Sequence, residues 1–374
     1  MFRSIQTVAA AIVVFVAGSP IARSESFGSF ANQVAVIVTE GITEGEMPGA
    51  VVVVANRHRV LYQQAFGDRQ IEPTREKMTV DTVFDLASLT KPIATATSVM
   101  RLVQLGEIDL DQPVSTYLPE FAAAGKEAIT VGDLLLHVGG LIPDNALADY
   151  EEGPDVAWKQ ICELKPMAAR GERFAYSDVG FIVLGKLVER VSGKSLDRFA
   201  RDEIFLPLDM KRTTFVPNRA LAADAAPTEQ RGGRWMRGEV HDPRAYRLGG
   251  VAGHAGLFST AGDLVRYGQM MLSKGDGGVL DPATFTTMTK RRKVPRGTRT
   301  YGWDHRSPYS SNRGESFSDA AVGHGGFTGT VIWIDPELER VFIFLSNRLH
   351  PDGKGTVNRL AGRIATLVGT LEMD

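Results

Sequence analysis

Phe84-Asp85-Leu86-Ala87-Ser88-Leu89-Thr90-Lys91-Pro92 is the stretch from which the rest of the chain is read. Ser88 and Lys91 stand three positions apart, so a first helical turn puts both on one face. A serine hydroxyl is a poor nucleophile at neutral pH, and attacks an acyl carbon only with a base or cation within hydrogen-bond reach. Ser-x-x-Lys supplies that pairing inside one turn. Residues 82–86 form a short apolar run leading in, and 93–105 carry a long helical pattern leading out. Pro92 fits only a first helical turn, so Ser88 is expected at the helix's N-terminal end. Unsatisfied backbone N–H groups and the helix dipole favour developing negative charge there. Taken alone, the same four residues read as a surface serine and a solvated lysine.

Outward from this point, 50–56 and 59–66 read as two strands joined by a tight turn at Arg57-His58. The far end mirrors them: 330–334 and 340–346 are apolar, β-branched or aromatic runs separated by the turn signal Asp335-Pro336-Glu337. Helical patterns lie outside both pairs, at 30–42 and 357–368. The middle is mostly helical. Thr130-Val131-Gly132-Asp133 and Thr260-Ala261-Gly262-Asp263 each set Thr at an N-cap with an acid three positions on, a variant of the capping box. The helix 179–191 stops at Ser192-Gly193. Strands from both ends with helices between them predict an α+β fold. One antiparallel sheet is built from both termini and flanked by helices, with a mostly helical subdomain inserted over roughly 100–245, and a cleft is expected where the parts meet.

The 374 residues are 43% hydrophobic and 23% charged with a formal net charge of −2, a globular balance long enough for one large or two modest domains. Such a charge leaves no electrostatic footprint for nucleic acid, and the basic run 290–293 reads as a solvated face. The N-terminus is different. Arg3 precedes an apolar run at 8–17, then Gly18-Ser19-Pro20 and Ala22-Arg23-Ser24. This is the layout of a secretory signal peptide over 1–24, cleaved after Ser24 or, as second choice, after Ala22. An apolar run of about ten residues falls short of the roughly 20 in a membrane span, so no stable membrane insertion is expected after cleavage. The mature domain, 25–374, is expected to be exported, to the periplasm or as a secreted protein. Cys162 is the sole cysteine, which forbids an intrachain disulfide, and its neighbours Trp158, Ile161 and Leu164 share a helix face that predicts a core thiol.

Two further segments give the first tetrad its meaning. Tyr176-Ser177-Asp178 lies in a polar turn just before the helix 179–191, and His324-Gly325-Gly326 lies in the glycine-rich 323–329 just before the strand 330–334. Singly, a loop tyrosine reads as a packing residue and a histidine beside glycines as a turn. In the order Ser-x-x-Lys, Tyr-Ser-Asp, His-Gly-Gly, with these contexts, they resemble the penicillin-recognising serine hydrolases: DD-peptidases, serine β-lactamases and related esterases. A middle motif that starts with Tyr is similar to the class C β-lactamase and DD-carboxypeptidase branch. The likeness runs over nearly all of the mature chain, including 48–51, 134–137 and 248–260. Val240-His241-Asp242-Pro243, Gly253-His254-Ala255-Gly256-Leu257-Phe258 and 347–351 look most like DD-carboxypeptidase-like members.

The resemblance implies an acyl-enzyme on Ser88, with Tyr176 as base and Lys91 tuning it, or Lys91 itself as base. Neighbouring cations are expected to lower the tyrosine's pKa, and desolvation the lysine's. It further implies an oxyanion hole from the backbone N–H groups of Ser88 and Phe327, each donor contributing about 3–4 kcal/mol. Substrate contacts fall to Asp178, His324, Gly325 and Gly326, the glycines letting a substrate pair along the strand edge. Asp178 stands where many members carry Asn and has no amide hydrogen to donate; His324 stands where β-lactamases usually carry Lys. Both departures weigh against efficient β-lactam hydrolysis, and no Glu-x-x-Leu-Asn loop of the class A type is found. The expected function is an exported serine hydrolase without cofactor, acting on D-alanyl peptides of the cell wall or on small esters. Its alternatives are a promiscuous carboxylesterase or weak β-lactamase, and a penicillin-acylated sensor that does not turn over. The expected partner is a small acyl substrate or peptidoglycan peptide, with no nucleic acid. His241, Asp242 and His254 match no tight ligand spacing, so no metal is expected, and they are assigned to steadying the loop 249–253. His137 is expected to bond a nearby loop backbone.

Overall fold

The computed structural model describes residues 20–276 and 278–371; most of the expected leader at 1–24 lies outside the described residues. Among the described residues, nine strands form one antiparallel sheet: β1 (Gly49–Ala55), β2 (Val60–Gln70), β3 (Glu76–Lys77), β4 (Arg292–Val294), β5 (Gly297–Arg299), β6 (Asp304–Arg306), β7 (Val322–Gly326), β8 (Thr330–Asp335) and β9 (Arg340–Ser346). Their order is β3-β2-β1-β9-β8-β7-β6-β5-β4. Side-chain oxygens shape the hairpins. Asn56 Oδ1 accepts from the N–H of His58 and of Arg59, both at 2.9 Å, and Asp335 Oδ1 accepts from Glu337 and Leu338, both at 3.0 Å; these are Asx turns. β1 runs beside β9, Ala50 opposite Ser346 and Ala55 opposite Val341. The two ends of the chain therefore meet at the centre of the sheet, as the sequence pattern predicts.

Strand alternation divides the core into two layers. Val52, Val54, Trp333, Phe342 and Phe344 pack on one face with α1 (Pro20–Thr43). Val51, Val53, Ile332, Ile343 and Leu345 pack on the other with α2 (Thr97–Gln104), α3 (Asp178–Ser192) and α4 (Ala261–Leu272). The last helix, α5 (Asn358–Thr370), joins the first layer through Leu360, Ile364 and Val368. Burial of each such aliphatic side chain stabilises by about 1.5–3 kcal/mol. Between β3 and β4 the chain leaves the sheet and lays down α2, α3 and α4. Thr130 and Asp133 close a full capping box. Thr260 accepts from Asp263 N–H, but the Asp263 carboxylate turns instead to Arg212 N–H and the Thr213 hydroxyl, both at 2.8 Å, so a tertiary contact replaces half of the second box. Cys162 is buried, and burial pushes its thiol up to about 11, which makes it the core thiol expected. Among the described residues no helix is long and apolar enough to cross a membrane.

Glu76 ties short β3 to the rest of the molecule. Arg69 Nε donates to it at 2.9 Å and Arg237 Nη1 and Nη2 at 2.8 and 2.7 Å. The Arg237 hydrogen bond, against some desolvation, holds its carboxyl down at about 2. The folded value lies below the unfolded one of about 4.3, so this stabilisation is complete above that pH and is lost as pH falls toward 2. Glu76→Gln is expected to lower stability at pH 7 by about 1–2 kcal/mol after discounting for partial exposure, and to flatten that acid limb. Equal urea midpoints for variant and parent at pH 7 would contradict the assignment.

Candidate active site

Five hydrogen bonds fix the turn that presents Ser88. Phe84 and Asp85 pair with Ser259 and Phe258 as a two-residue ladder. Asp85 then accepts from Ala87 N–H at 2.8 Å and from His241 N–H at 2.7 Å. The hydroxyls of Thr328 and Thr330 donate to the carbonyls of Asp85 (2.6 Å) and Leu86 (3.1 Å), and that of Thr90 to Ala87 (2.6 Å). Together they hold Ala87 at φ +46°, a left-handed conformation that costs a non-glycine residue about 1–3 kcal/mol. The strain sits directly before the serine. A 3₁₀ turn at Ala87–Leu89 passes into a wider π turn at Lys91–Ala96 before α2 begins, so the helix expected over 93–105 is regular only from Thr97 to Gln104. Pro92 brings no N–H, and its carbonyl accepts the Thr97 hydroxyl five residues on at 2.8 Å.

Lys91 is fully buried. Its Nζ donates to Ser88 Oγ at 3.0 Å and to the His254 carbonyl at 2.9 Å, and lies 2.6 Å from Asp178 Oδ1. The Tyr176 ring centroid is 4.9 Å from Nζ. Its buried hydroxyl faces Ser88 and Lys91 but makes no well-formed hydrogen bond among the described residues. His137 sets this turn: its Nδ1 accepts from Ser177 N–H at 3.0 Å, and its ring lies 4.5 Å from that of Tyr176. Ser177 in turn caps α3, accepting from Gly180 N–H at 3.1 Å.

Burial pushes the Lys91 ammonium down, but Asp178, then Tyr176, more than offset it and the net shift is upward. For Tyr176, burial raises the phenol by more than Lys91 lowers it. Both directions are opposite to those expected from the sequence. The resting centre holds a charged lysine and a neutral phenol.

His324, on β7, is buried, and its Nδ1 lies 2.8 Å from the Gly325 carbonyl. A carbonyl only accepts, so Nδ1 carries the hydrogen and Nε2 presents a lone pair. Burial, then Arg299 and Lys91, push this imidazole well below its usual value, so it offers no positive charge to a substrate. The β6–β7 ladder ends at Asp304 opposite Gly323, which leaves the edge of His324–Gly326 free on that side. Gly326 packs so closely on Thr330 Oγ1 and the Leu86 carbonyl that a Cβ would overlap both, and a Cβ on Gly325 would meet Asn312 Nδ2 at 2.6 Å. Gly326 seats β7 against the nucleophile turn and Gly325 against Asn312, packing reasons where the sequence suggested only room for substrate. Phe327 follows, 61% exposed, under the Arg348 guanidinium at 4.5 Å.

Ser88 lies where two cavities meet. One, of about 570 Å³, is lined among others by Tyr176, Asp178, Asp242, His254 and Phe327. The other, of about 370 Å³, is lined by Tyr176, Arg299, His324, Gly325, Gly326 and Phe327. Every residue singled out from the three motifs therefore borders Ser88's surroundings or touches Lys91. His241 lines the larger cavity too, its ring 2.8 Å from Glu229, while His254 pairs with Asp242 at 2.9 Å. Asp178, Asp242 and His254 bring ligating atoms within 4.8 Å of one another, from three segments whose spacing gave no hint of it. The Lys91 ammonium already serves as the cation at Asp178. No pattern marked Arg299, which is fully buried and bonded to Asp304 at 3.2 Å.

Residues 34–367 match the Beta-lactamase family. The chain is 34% identical to an N-acetylmuramyl-L-alanine amidase of Bacillus subtilis, over 81% of this chain and 78% of that protein. It is 30% identical to an Escherichia coli protein named as a D-alanyl-D-alanine carboxypeptidase, over 81% and 79%. A solved class C β-lactamase shares the fold, with a TM-score of 0.77 at 18% identity over 96% of this chain and 99% of that one. A match of this extent, on a sheet built from both chain ends and with a serine and a buried lysine in contact, makes the chain a serine hydrolase of the Beta-lactamase family.

Proposed function

We propose that the protein is an exported hydrolase that cleaves an amide in cell-wall peptides through an acyl-enzyme on Ser88, a D-alanyl peptide being its first substrate. The observation that carries this reading is Lys91 Nζ held between Ser88 Oγ at 3.0 Å and Asp178 Oδ1 at 2.6 Å, with the Tyr176 hydroxyl beside them. Ser88 Oγ attacks the acyl carbon while the N–H groups of Ser88 and Phe327 receive the developing oxyanion. The neutral Tyr176 hydroxyl hands its proton to the departing amine as it takes the one from Oγ, and the Lys91 ammonium stabilises the charge that passes between them. Asp178 raises the Lys91 pKa and so helps hold its positive charge. The substrate lies along the free edge of His324–Gly326 and pairs through backbone bonds.

Relatives named for an amidase and a carboxypeptidase of the cell wall favour a peptide amide over a simple ester. The neutral His324 and the acidic Asp178 weigh against an efficient β-lactamase. Release of D-alanine from a wall-derived pentapeptide, measured against hydrolysis of short-chain nitrophenyl esters, tests the reading. D-Alanine release is expected; rapid ester hydrolysis without it would make the protein a carboxylesterase. Labelled penicillin retained on the protein without product release, together with inert peptide and ester, would make it a sensor.

A further inference from the structure

We infer that Asp242 and His254 form a general-base dyad for the hydrolytic half of the reaction, taking the proton from the water that frees the acyl group from Ser88. The inference rests on the Ser88 reading and adds a residue pair to it. Asp242 Oδ1 lies 2.9 Å from His254 Nε2. A carboxylate accepts, so Nε2 carries the hydrogen and Nδ1 holds a lone pair. That Nδ1 is buried and has no hydrogen-bond partner among the described residues, although buried acceptors are rarely left open except where a ligand or water belongs. Asp242 is itself fixed as the cap of the turn Pro243–Arg247, accepting from Arg244 and Ala245 N–H at 2.9 and 2.8 Å. Burial raises its carboxyl, but His254, the Ala245 N–H and the Lys91 charge hold it far below the usual range.

The dyad borders the nucleophile. Both residues line the larger cavity with Ser88, and the His254 carbonyl sits on the same ammonium that holds Ser88 Oγ. The other nitrogen and phenol groups around Ser88 are poorer acceptors of a water proton. Lys91 is charged, Tyr176 is a neutral phenol that can only relay a proton, and burial with the charges of Arg299 and Lys91 opposes a second proton on His324. His254 has the reverse surroundings: Asp242 bonds it, and Asp178 lies alongside. Around an imidazolium at His254 stand the carboxylates Asp242, Asp178 and Asp144, with Lys91 and Arg244 as the facing cations. In the step itself, the water oxygen bonds to the acyl carbon as one proton passes to Nδ1. The carbon–Oγ bond then breaks with its electron pair on Oγ, which takes that proton back. Water is divided between the product acid and the free serine, and nothing is oxidised or reduced.

The test follows a nitrophenyl ester with the whole protein and with His254→Gln and Asp242→Asn. Each variant is expected to release a burst of about one nitrophenol per molecule, then to turn over at least about 10²-fold more slowly than the parent, with an acyl adduct visible by mass on the Ser88 peptide. Hydroxylamine attacks without a base and should restore turnover. In the unaltered protein, hydrolysis of the adduct should be slowed in deuterium oxide more than hydroxylaminolysis is. Parental turnover without an adduct, a slow phase that hydroxylamine does not quicken, or equal isotope effects in the unaltered protein would each overturn the dyad. An adduct that forms equally in Ser88→Ala would instead remove the Ser88 reading on which it rests.

Discussion

Ser88→Ala is expected to reduce hydrolysis of an acyl ester by at least about 10³-fold while the protein melts within a few degrees of the parent. The two outcomes separate because of how the hydroxyl is held. Oγ takes one hydrogen bond, from Lys91 at 3.0 Å, and its loss leaves that ammonium still bonded to the His254 carbonyl and paired with Asp178. A hydrogen bond lost without orphaning its partner changes stability by about 1 kcal/mol or less. The nucleophile has no such substitute: neither Thr90, whose hydroxyl is spent on the Ala87 carbonyl, nor Ser177, which caps α3, is free to replace it. Ester hydrolysis at the parental rate in this variant would take Ser88 out of the reaction.

Lys91→Met is expected to abolish turnover and also to destabilise the fold, by about 3–5 kcal/mol. Lys91 is fully buried and its ammonium lies 2.6 Å from Asp178 Oδ1, so removing it strands a carboxylate in a poorly solvated place. Methionine keeps the length and apolar character of the stem and isolates the charge as the variable. Adding Asp178→Asn removes the stranded charge, and the double variant should regain most of the lost stability and none of the activity. Urea midpoints for the parent, the two single variants and the double variant give the coupling directly. Additive losses would mean that the pair is not formed in solution.

The sheet was legible because its strands are continuous apolar runs bounded by turn residues at both ends of the chain, and 340–346 coincides with β9 residue for residue. The helix after Ser88 was less so: periodicity reports which face is apolar, but not whether the turns are α or π, and that was settled by Pro92 and Thr97 bonding across five residues. Ser88, Lys91 and Tyr176 were visible as motifs because each lies at the start of a helix or just before one. The electrostatics ran the other way from expectation because the balance depends on burial and on Asp178 reaching Lys91, neither of which local sequence encodes. The sequence assigns His254 and Asp242 only to steadying a loop; their pairing needs the turn Pro243–Arg247 to bring residue 242 beside residue 254, and no spacing rule foretells that. Arg299, on β5, had no signal at all.

Intact-protein and peptide mass spectrometry after exposure to a fluorophosphonate tests the central claim most directly, since the probe reacts only with a serine already made nucleophilic by its neighbours. A single adduct is predicted, carried by the peptide that contains Ser88 and missing from Ser88→Ala and from the double variant of Lys91 and Asp178. An unmodified protein, or an adduct on another serine, would contradict it.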